Sequence, residues 1–369
     1  MFEKAIAYID KIIEERRLPL LDFVVKRNHK EIFRHHGSYN GTSSGKELLC
    51  MFSCTKVLTA VCAMRLVDEG KIALDDPVSN YIPEFSGAYT LNESGEKRCE
   101  VIRIRHLLTM SSGLDYKRDT PEIVELAKEK YGSADTLEVI KTLVKHPLHF
   151  APGERFLYSL SHDVIGAVIE VVTGLNLADY MKKYIFDPLG MKNSTLSFEK
   201  YADTAPKSYR IIKKYEYEKE TDDAYREFHP TLKYISGGAG LISTVEDYSL
   251  FADALASGGI SADGYRLVSK ESIELMKNPV FHVLNVKNTY TCVQGKDYGY
   301  GLGVRVRTEA LECGIPVGEF GWDGAAGSYV LVDTDNGISI TAGMNILNWH
   351  TVFGGEHTEI AKLIYEDLI

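Results

Sequence analysis

In the opening stretch MFEKAIAYIDKIIEERRLP, apolar and charged residues alternate at helical spacing, which predicts a first structural helix. LLDFVVKRNHKEIFRHHGSY reads as two strands joined at Arg27-Asn28-His29-Lys30. The run FSCTKVLTAVCAMRLVDEG, residues 52–70, is apolar almost throughout and stops at Gly70, a residue suited to a helix C-terminus. From about residue 76 to 231 the pattern is helical and loop-rich. Helices are expected at 121–130 and 134–145, in HDVIGAVIEVVTG ending at Gly174, and in LADYMKKYIFDPLGM closed by Pro188. Residues 209–228, dense in tyrosine and charge, read as a hairpin or lid. STVEDYSLFADALASGG is a further helix with a Ser/Thr start and a Gly end. Strand signals return in GYGLGVRVR, GSYVLVDTD and GISITAGMN, before a closing helix at about 356–368. Strands at both ends with helices between predict one α+β unit whose sheet is completed from both termini. The expected division of that single domain, 1–369, is an α/β part (1–75 and 232–369) and a mostly helical part (76–231).

Composition narrows the class. A chain of 369 residues with 44% hydrophobic and 25% charged residues can bury a sizeable core. Its net charge of −10 argues against nucleic acid and anionic membrane surfaces as partners. No apolar stretch approaches the roughly 20 residues that span a bilayer. The first helix lacks the uninterrupted apolar core of a signal peptide, so a cytoplasmic location is expected. The six cysteines (Cys50, Cys54, Cys62, Cys99, Cys292, Cys313) form no CxxC pair and read as reduced, mostly buried thiols.

The candidate chemistry starts at Ser53 and Lys56. S-x-x-K occurs four times, as Ser43/Lys46, Ser53/Lys56, Ser94/Lys97 and Ser197/Lys200. Only Ser53 stands at the first turn of a buried helix, where positions i and i+3 share a face and bring Lys56 beneath the hydroxyl. A buried lysine is costly unless something uses it. The helix start also offers unpaired backbone N–H groups to a developing oxyanion. An isolated match would ordinarily be a helix cap with a snorkelling lysine. A rival, GTSSG at 41–45, fits the G-x-S-x-G nucleophile elbow with Ser43 at its centre. That elbow needs an apolar strand directly before it, and RHHGSYN is not one, so a flexible loop is the expectation.

Two further segments support Ser53. PGERFLYSLSHDVIGAVIEVVTG places Tyr158 in a loop just before a helix, and FGWDGAAGSYVLVD puts a Gly-rich stretch, Gly321 to Gly327, before a strand. Serine helix, tyrosine loop and glycine-lined edge strand, in that order, resemble penicillin-binding proteins and class C β-lactamases, and most closely their relatives the family VIII carboxylesterases. RIRHLLTMSSGL, IFDPLGMKNST and SGGAGLISTVEDYSLFA extend the resemblance from about residue 10 to the end. It implies a β-lactamase/transpeptidase-like α+β fold, an antiparallel sheet flanked by N- and C-terminal helices with a mostly helical insert.

The resemblance also implies roles. Ser53 would attack an acyl carbonyl and form an acyl-enzyme, with Lys56 activating it and Tyr158 serving as general acid/base toward the leaving group. Which of Lys56 and Tyr158 holds the proton stays open at this point. The oxyanion hole would be the backbone N–H groups of Ser53 and Ala325, and Leu160, Trp322, Asp323 and Gly324 would meet substrate. Lactamases and peptidases of the superfamily usually carry Asn where this chain has Leu160, and Lys or His where it has Trp322. Both changes favour an uncharged acyl group, so a carboxylesterase acting on small or medium acyl esters is expected. A D-amino-acid peptidase, a weak β-lactamase or a catalytically silent binding protein are the alternatives. His35, His36, His146 and His149 show no metal-ligand spacing, and SGGAGLIS lacks G-x-G-x-x-G, so neither metal nor cofactor is expected.

Overall fold

The computed structural model describes residues 1–130, 132–196, 208–213, 216–219, 229–281, 297–347 and 355–368. Ser197/Lys200, Cys292 and residues 220–228 of the tyrosine-dense segment lie outside these. The first hairpin is β1 (Leu21–Arg27) and β2 (Lys30–Gly37). Its turn falls where expected because Asn28 and His29 both take positive φ (48° and 68°), the conformation a two-residue hairpin turn requires. Short strands follow: β3 (Leu49–Cys50), β4 (Tyr89–Leu91), β5 (Lys97–Cys99), β6 (Tyr209–Lys213), β7 (Glu216–Lys219) and β8 (Ile242–Ser243). The C-terminal meander is β9 (Tyr298–Tyr300), β10 (Arg305–Arg307), β11 (Phe320–Asp323), β12 (Tyr329–Asp333) and β13 (Ile338–Gly343), trailed by β14 (Ile346–Leu347).

The main sheet has seven strands in the order β2-β1-β13-β12-β11-β10-β9, every neighbour antiparallel. The pairing of β1 with β13 joins the two ends of the chain. Side chains alternate across this sheet and feed two cores. Val24, Phe320, Trp322, Val330 and Val332 face the helical layer, with the helices Thr55–Asp68 and Val245–Ala256. Phe23, Val25, Tyr329, Leu331 and Ile340 face the terminal helices Glu3–Arg16 and Glu356–Leu368.

Three sequence expectations are corrected. FGWD is itself strand β11, and it lies inside the sheet, with β10 and β9 beyond it, so it is not an edge. Gly321 is needed there because a Cβ would sit 1.9 Å from the Val330 carbonyl oxygen. The helix at Leu177 does not close at Pro188. It widens into a π-turn at Lys182–Phe186 and runs through Asp187–Leu189 to Gly190 (φ 72°). The proline is accommodated at the start of a new turn, where no N–H is required. Residues 134–145 break into an α-helix, Thr136–Ile140, and a 3₁₀ turn, Leu143–Lys145.

Candidate active site

Ser53 occupies a 3₁₀ turn, Phe52–Cys54, that feeds the buried helix Thr55–Asp68. Phe52, fully buried, has a φ of 43°, a left-handed conformation that costs an aromatic residue energy and is held by its surroundings. Thr55 Oγ1 donates to the Phe52 carbonyl at 2.5 Å and accepts from Leu241 N–H at 3.0 Å. The Met51 carbonyl accepts from Cys54 N–H (3.1 Å) and Ser328 Oγ (2.7 Å). Strong local pinning therefore fixes the serine, as a site built on rigid elements requires.

Around Ser53 Oγ, Tyr158 Oη donates at 2.7 Å and Lys56 Nζ lies at 3.3 Å. Lys56 has no solvent exposure. Its Nζ also donates to the Gly238 carbonyl (2.7 Å) and to Tyr116 Oη (3.3 Å). Burial lowers its pKa to about 7, against the opposing pull of the Asp163 carboxylate. A neutral amine has two N–H donors and one lone pair. With the donors committed to Gly238 and Tyr116, the lone pair is left for the Ser53 proton. Tyr158 is pushed well above the ordinary phenol value, chiefly by burial, and so keeps its proton. Burial likewise raises Asp163, whose Oδ1 accepts from Ser236 Oγ at 2.7 Å.

The Tyr158 ring is clamped between aromatic neighbours. Tyr116 stacks on it at 5.3 Å and 7°, and Trp322 at 5.7 Å and 19°. Tyr300 meets Trp322 edge-on at 5.2 Å. The wall beside the serine is thus apolar and rigid. A cavity of about 550 Å³ is lined by Leu114, Asp115, Leu143, Leu148 and His149 among others, and Ser53, Lys56 and Tyr158 are not part of its lining.

The structure brings Ser53, Lys56 and Tyr158 together and sets Trp322 against them. Leu160 is buried at the head of the helix Ser161–Thr173, its N–H donating to the Asp115 carbonyl. Asp323, expected to meet substrate, is corrected: it alternates with Trp322 on β11 and turns its carboxylate to buried Arg305 at 3.2 Å. Gly324 has no space for a side chain, since a Cβ would lie 2.0 Å from Ser328 Oγ and 2.3 Å from the Met51 carbonyl oxygen. Ser43 Oγ contacts His36 rather than Lys46, whose side chain is exposed. Cys54 is buried with its thiol pushed up to about 12 by burial, unlike a nucleophilic thiolate. His35, His146 and His149 each face a carboxylate (Asp10, Glu122 and Asp115). Among the described residues no group of three or more His, Cys, Asp or Glu side chains is placed to hold a metal ion.

Tyr116, Asp163 and the Gly238 carbonyl were not singled out from the sequence. Tyr116 closes the stretch RIRHLLTMSSGLDY, and Asp163 follows Tyr158 by five positions on the next helix. Their proximity to Lys56 is a tertiary fact.

The Beta-lactamase family profile matches residues 5–363. Esterase EstB of Burkholderia gladioli is 28% identical over 366 residues, 90% of this chain and 88% of the esterase. Acyltransferase calJ of Penicillium decumbens is 28% identical over 307 residues, 76% of this chain and 71% of that one. Among solved structures, EstCE1, a hydrolase with promiscuous acyltransferase activity, superposes with a TM-score of 0.79 at 22% identity, covering 98% of both chains. The LovD6 mutant of simvastatin synthase from Aspergillus terreus gives 0.78 at 20%, covering 98% of this chain and 94% of its own. The chain belongs to the Beta-lactamase family and has its β-lactamase/transpeptidase-like fold.

Proposed function

We propose that this protein, a serine hydrolase of the esterase and acyltransferase type, is a carboxylesterase that forms an acyl-enzyme on Ser53. The observation that carries the reading is the buried trio in which Tyr158 Oη and Lys56 Nζ lie 2.7 and 3.3 Å from Ser53 Oγ. Ser53 Oγ attacks the ester carbonyl carbon as its proton passes to the Lys56 lone pair. The negative charge that develops on the carbonyl oxygen is held by the N–H groups of Ser53 and Ala325. Support for that hole is the Ser328–Met51 hydrogen bond, which draws the turn carrying Ala325 against the nucleophile turn. Collapse breaks the C–O bond. Tyr158 gives its proton to the departing alkoxide and is reprotonated from Lys56, so the alcohol leaves neutral. Water then repeats the sequence on the acyl-enzyme, releasing the acid and restoring Ser53.

Ester preference is supported by Leu160 and Trp322, apolar residues at the positions where the superfamily's lactamases and peptidases usually carry Asn and Lys or His, and by the likeness to Esterase EstB. The whole chain is read as one domain, supported by the sheet that both ends complete. Among the described residues no single helix is long and apolar enough to cross a membrane. The test is a panel of aryl esters, a chromogenic cephalosporin and D-Ala peptides, run beside fluorophosphonate labelling. Ester turnover well above the others is expected. A preference for the cephalosporin or the peptides would overturn the ester reading, and absence of both labelling and turnover would leave a silent binding protein.

A further inference from the structure

We propose that His357, on the C-terminal helix, is a positioning residue for the oxyanion-binding turn Gly324–Ser328. This rests on the reading above, in which the Ala325 N–H receives the developing charge. The worth of a backbone donor depends on where its turn is held when the charge forms. Internally the turn is closed by Gly324 N–H to the Ser328 carbonyl (2.8 Å) and Gly327 N–H to the Gly324 carbonyl (2.9 Å). On the serine side it is tied by Ser328 Oγ to the Met51 carbonyl. On the far side Ile346 N–H donates to the Ala326 carbonyl (2.8 Å), and His357 Nε2 lies 2.9 Å from the Gly327 carbonyl oxygen. A carbonyl only accepts, so Nε2 carries the proton and donates.

Gly327 needs that donor. Its φ is 82°; the peptide before it is held by the Gly324 and Ile346 hydrogen bonds, and no side chain restrains the peptide after it, whose carbonyl His357 meets. The imidazole has no solvent exposure and stacks on Tyr329 at 5.2 Å and 28°. The Arg305 guanidinium lies 4.9 Å from the centre of the same tyrosine ring and holds Asp323 at 3.2 Å. Asp323 and Tyr329 are the register pair that closes the β11–β12 hairpin around the turn. The contacts of His357, Tyr329 and Arg305 thus grip both stems of the turn and the Gly327 carbonyl.

The helix that carries the imidazole is itself anchored. Glu356 pairs with Arg16 of the first helix, Lys4 pairs with Glu366 at 3.0 Å, and Tyr365 Oη donates to Asp333 at 2.8 Å. The terminal helices therefore brace the oxyanion turn from the sheet face opposite Trp322.

The experiment compares an aryl ester with the matching thionoester, whose sulfur accepts hydrogen bonds weakly, in the wild type, His357→Phe and His357→Gln. His357→Phe keeps a ring on Tyr329 and removes the donor; His357→Gln keeps a donor. Displacing one oxyanion donor, rather than deleting it, is expected to lower kcat for the ester about tenfold with KM little changed. The ester-to-thionoester ratio of kcat/KM should fall in step, and His357→Gln should recover most of both. An unchanged ratio in His357→Phe, or equal losses on ester and thionoester, would mean a packing role only and overturn the proposal. If His357→Phe fails to fold, a ratio in His357→Gln as low as a lost donor would give overturns it, and a preserved ratio supports it. A wild type without ester turnover contradicts the proposed function itself, whereas turnover with a ratio indifferent to His357 contradicts only this inference.

Discussion

Two clusters of buried charge lie on opposite faces of the same strands, and they behave in opposite ways. Lys56, on the helical side, meets a carbonyl, two phenols and a serine hydroxyl, with the Asp163 carboxylate near enough to act on it but not to outweigh burial. On the terminal-helix side, Arg305 is matched by Asp323 and Glu319 at 3.2 and 3.4 Å and by the Val330 carbonyl at 3.1 Å. Arg307 shares Glu319 at 3.1 Å. Burial acts to lower Arg305, yet Asp323 and Glu319 overcome it and raise the pKa well above the ordinary value. Burial lowers Lys56 to about 7 because nothing comparable compensates it. A desolvated charge becomes reactive where its partners are neutral and structural where they are carboxylates. One cluster supplies a base; the other holds the hairpin on which the oxyanion turn is mounted.

The largest effect should follow from removing the group that the buried lysine serves. Ser53→Ala is expected to lower ester turnover by several orders of magnitude, as loss of a covalent route does, while Ser43→Ala stays near the wild type. Steady-state kinetics on one aryl ester checks both. Lys56→Ala and Tyr158→Phe should each be severely impaired, and the double variant little worse than either. Additive losses would count against a shared proton path.

Stability sharpens the contrast, because the same kind of substitution should act with opposite sign on the two clusters. Arg305→Met leaves Asp323 buried without its cation and Glu319 with Arg307 alone, and should destabilise the fold by about 3–5 kcal/mol. For Lys56 the unfolded pKa exceeds the folded one, so the unfolded chain binds more protons between about 7 and 10.5. Stability contributed through this group therefore rises with pH across that window, and its cost is full below 7. Lys56→Met removes that cost and should stabilise the protein at pH 6, on the order of 2–5 kcal/mol, while abolishing activity. Urea unfolding of the two variants at pH 6 decides the matter, and equal signs would break the comparison.

Much of this was legible in the sequence. The strands at both ends and the Ser53 helix follow from local periodicity and spacing, whereas the grouping of Ser53, Tyr158 and Trp322 comes from the resemblance to penicillin-binding proteins and class C β-lactamases. The face of β11 on which Asp323 lies does not, because it depends on where the strand begins, and the glycines of FGWDGAAG mask the alternation. Tyr116, Asp163 and the Gly238 carbonyl could not be read off because each reaches Lys56 from a separate element. The π-turn before Pro188 was hidden for a different reason, since its hydrogen-bond register leaves no compositional mark.

The smallest effect belongs to buried Leu160. Leu160→Asn adds an amide at the head of the Ser161–Thr173 helix, and a single hydrogen bond to an amide substrate should shift the cephalosporin-to-ester ratio of kcat/KM about tenfold at most. An unchanged ratio would place specificity elsewhere.

The central claim is that Ser53 is activated by a lysine made neutral by burial, its hydrogen-bond partners uncharged and the pull of Asp163 too weak to offset that burial. It is tested most directly by the rate of fluorophosphonate labelling as a function of pH, with the labelled peptide identified by mass spectrometry. The account predicts modification of Ser53 with a rate that rises through an apparent pKa of about 7 and falls tenfold per pH unit below it. Labelling at Ser43 or Cys54, or a rate on Ser53 that rises only near the ordinary lysine pKa, would contradict it.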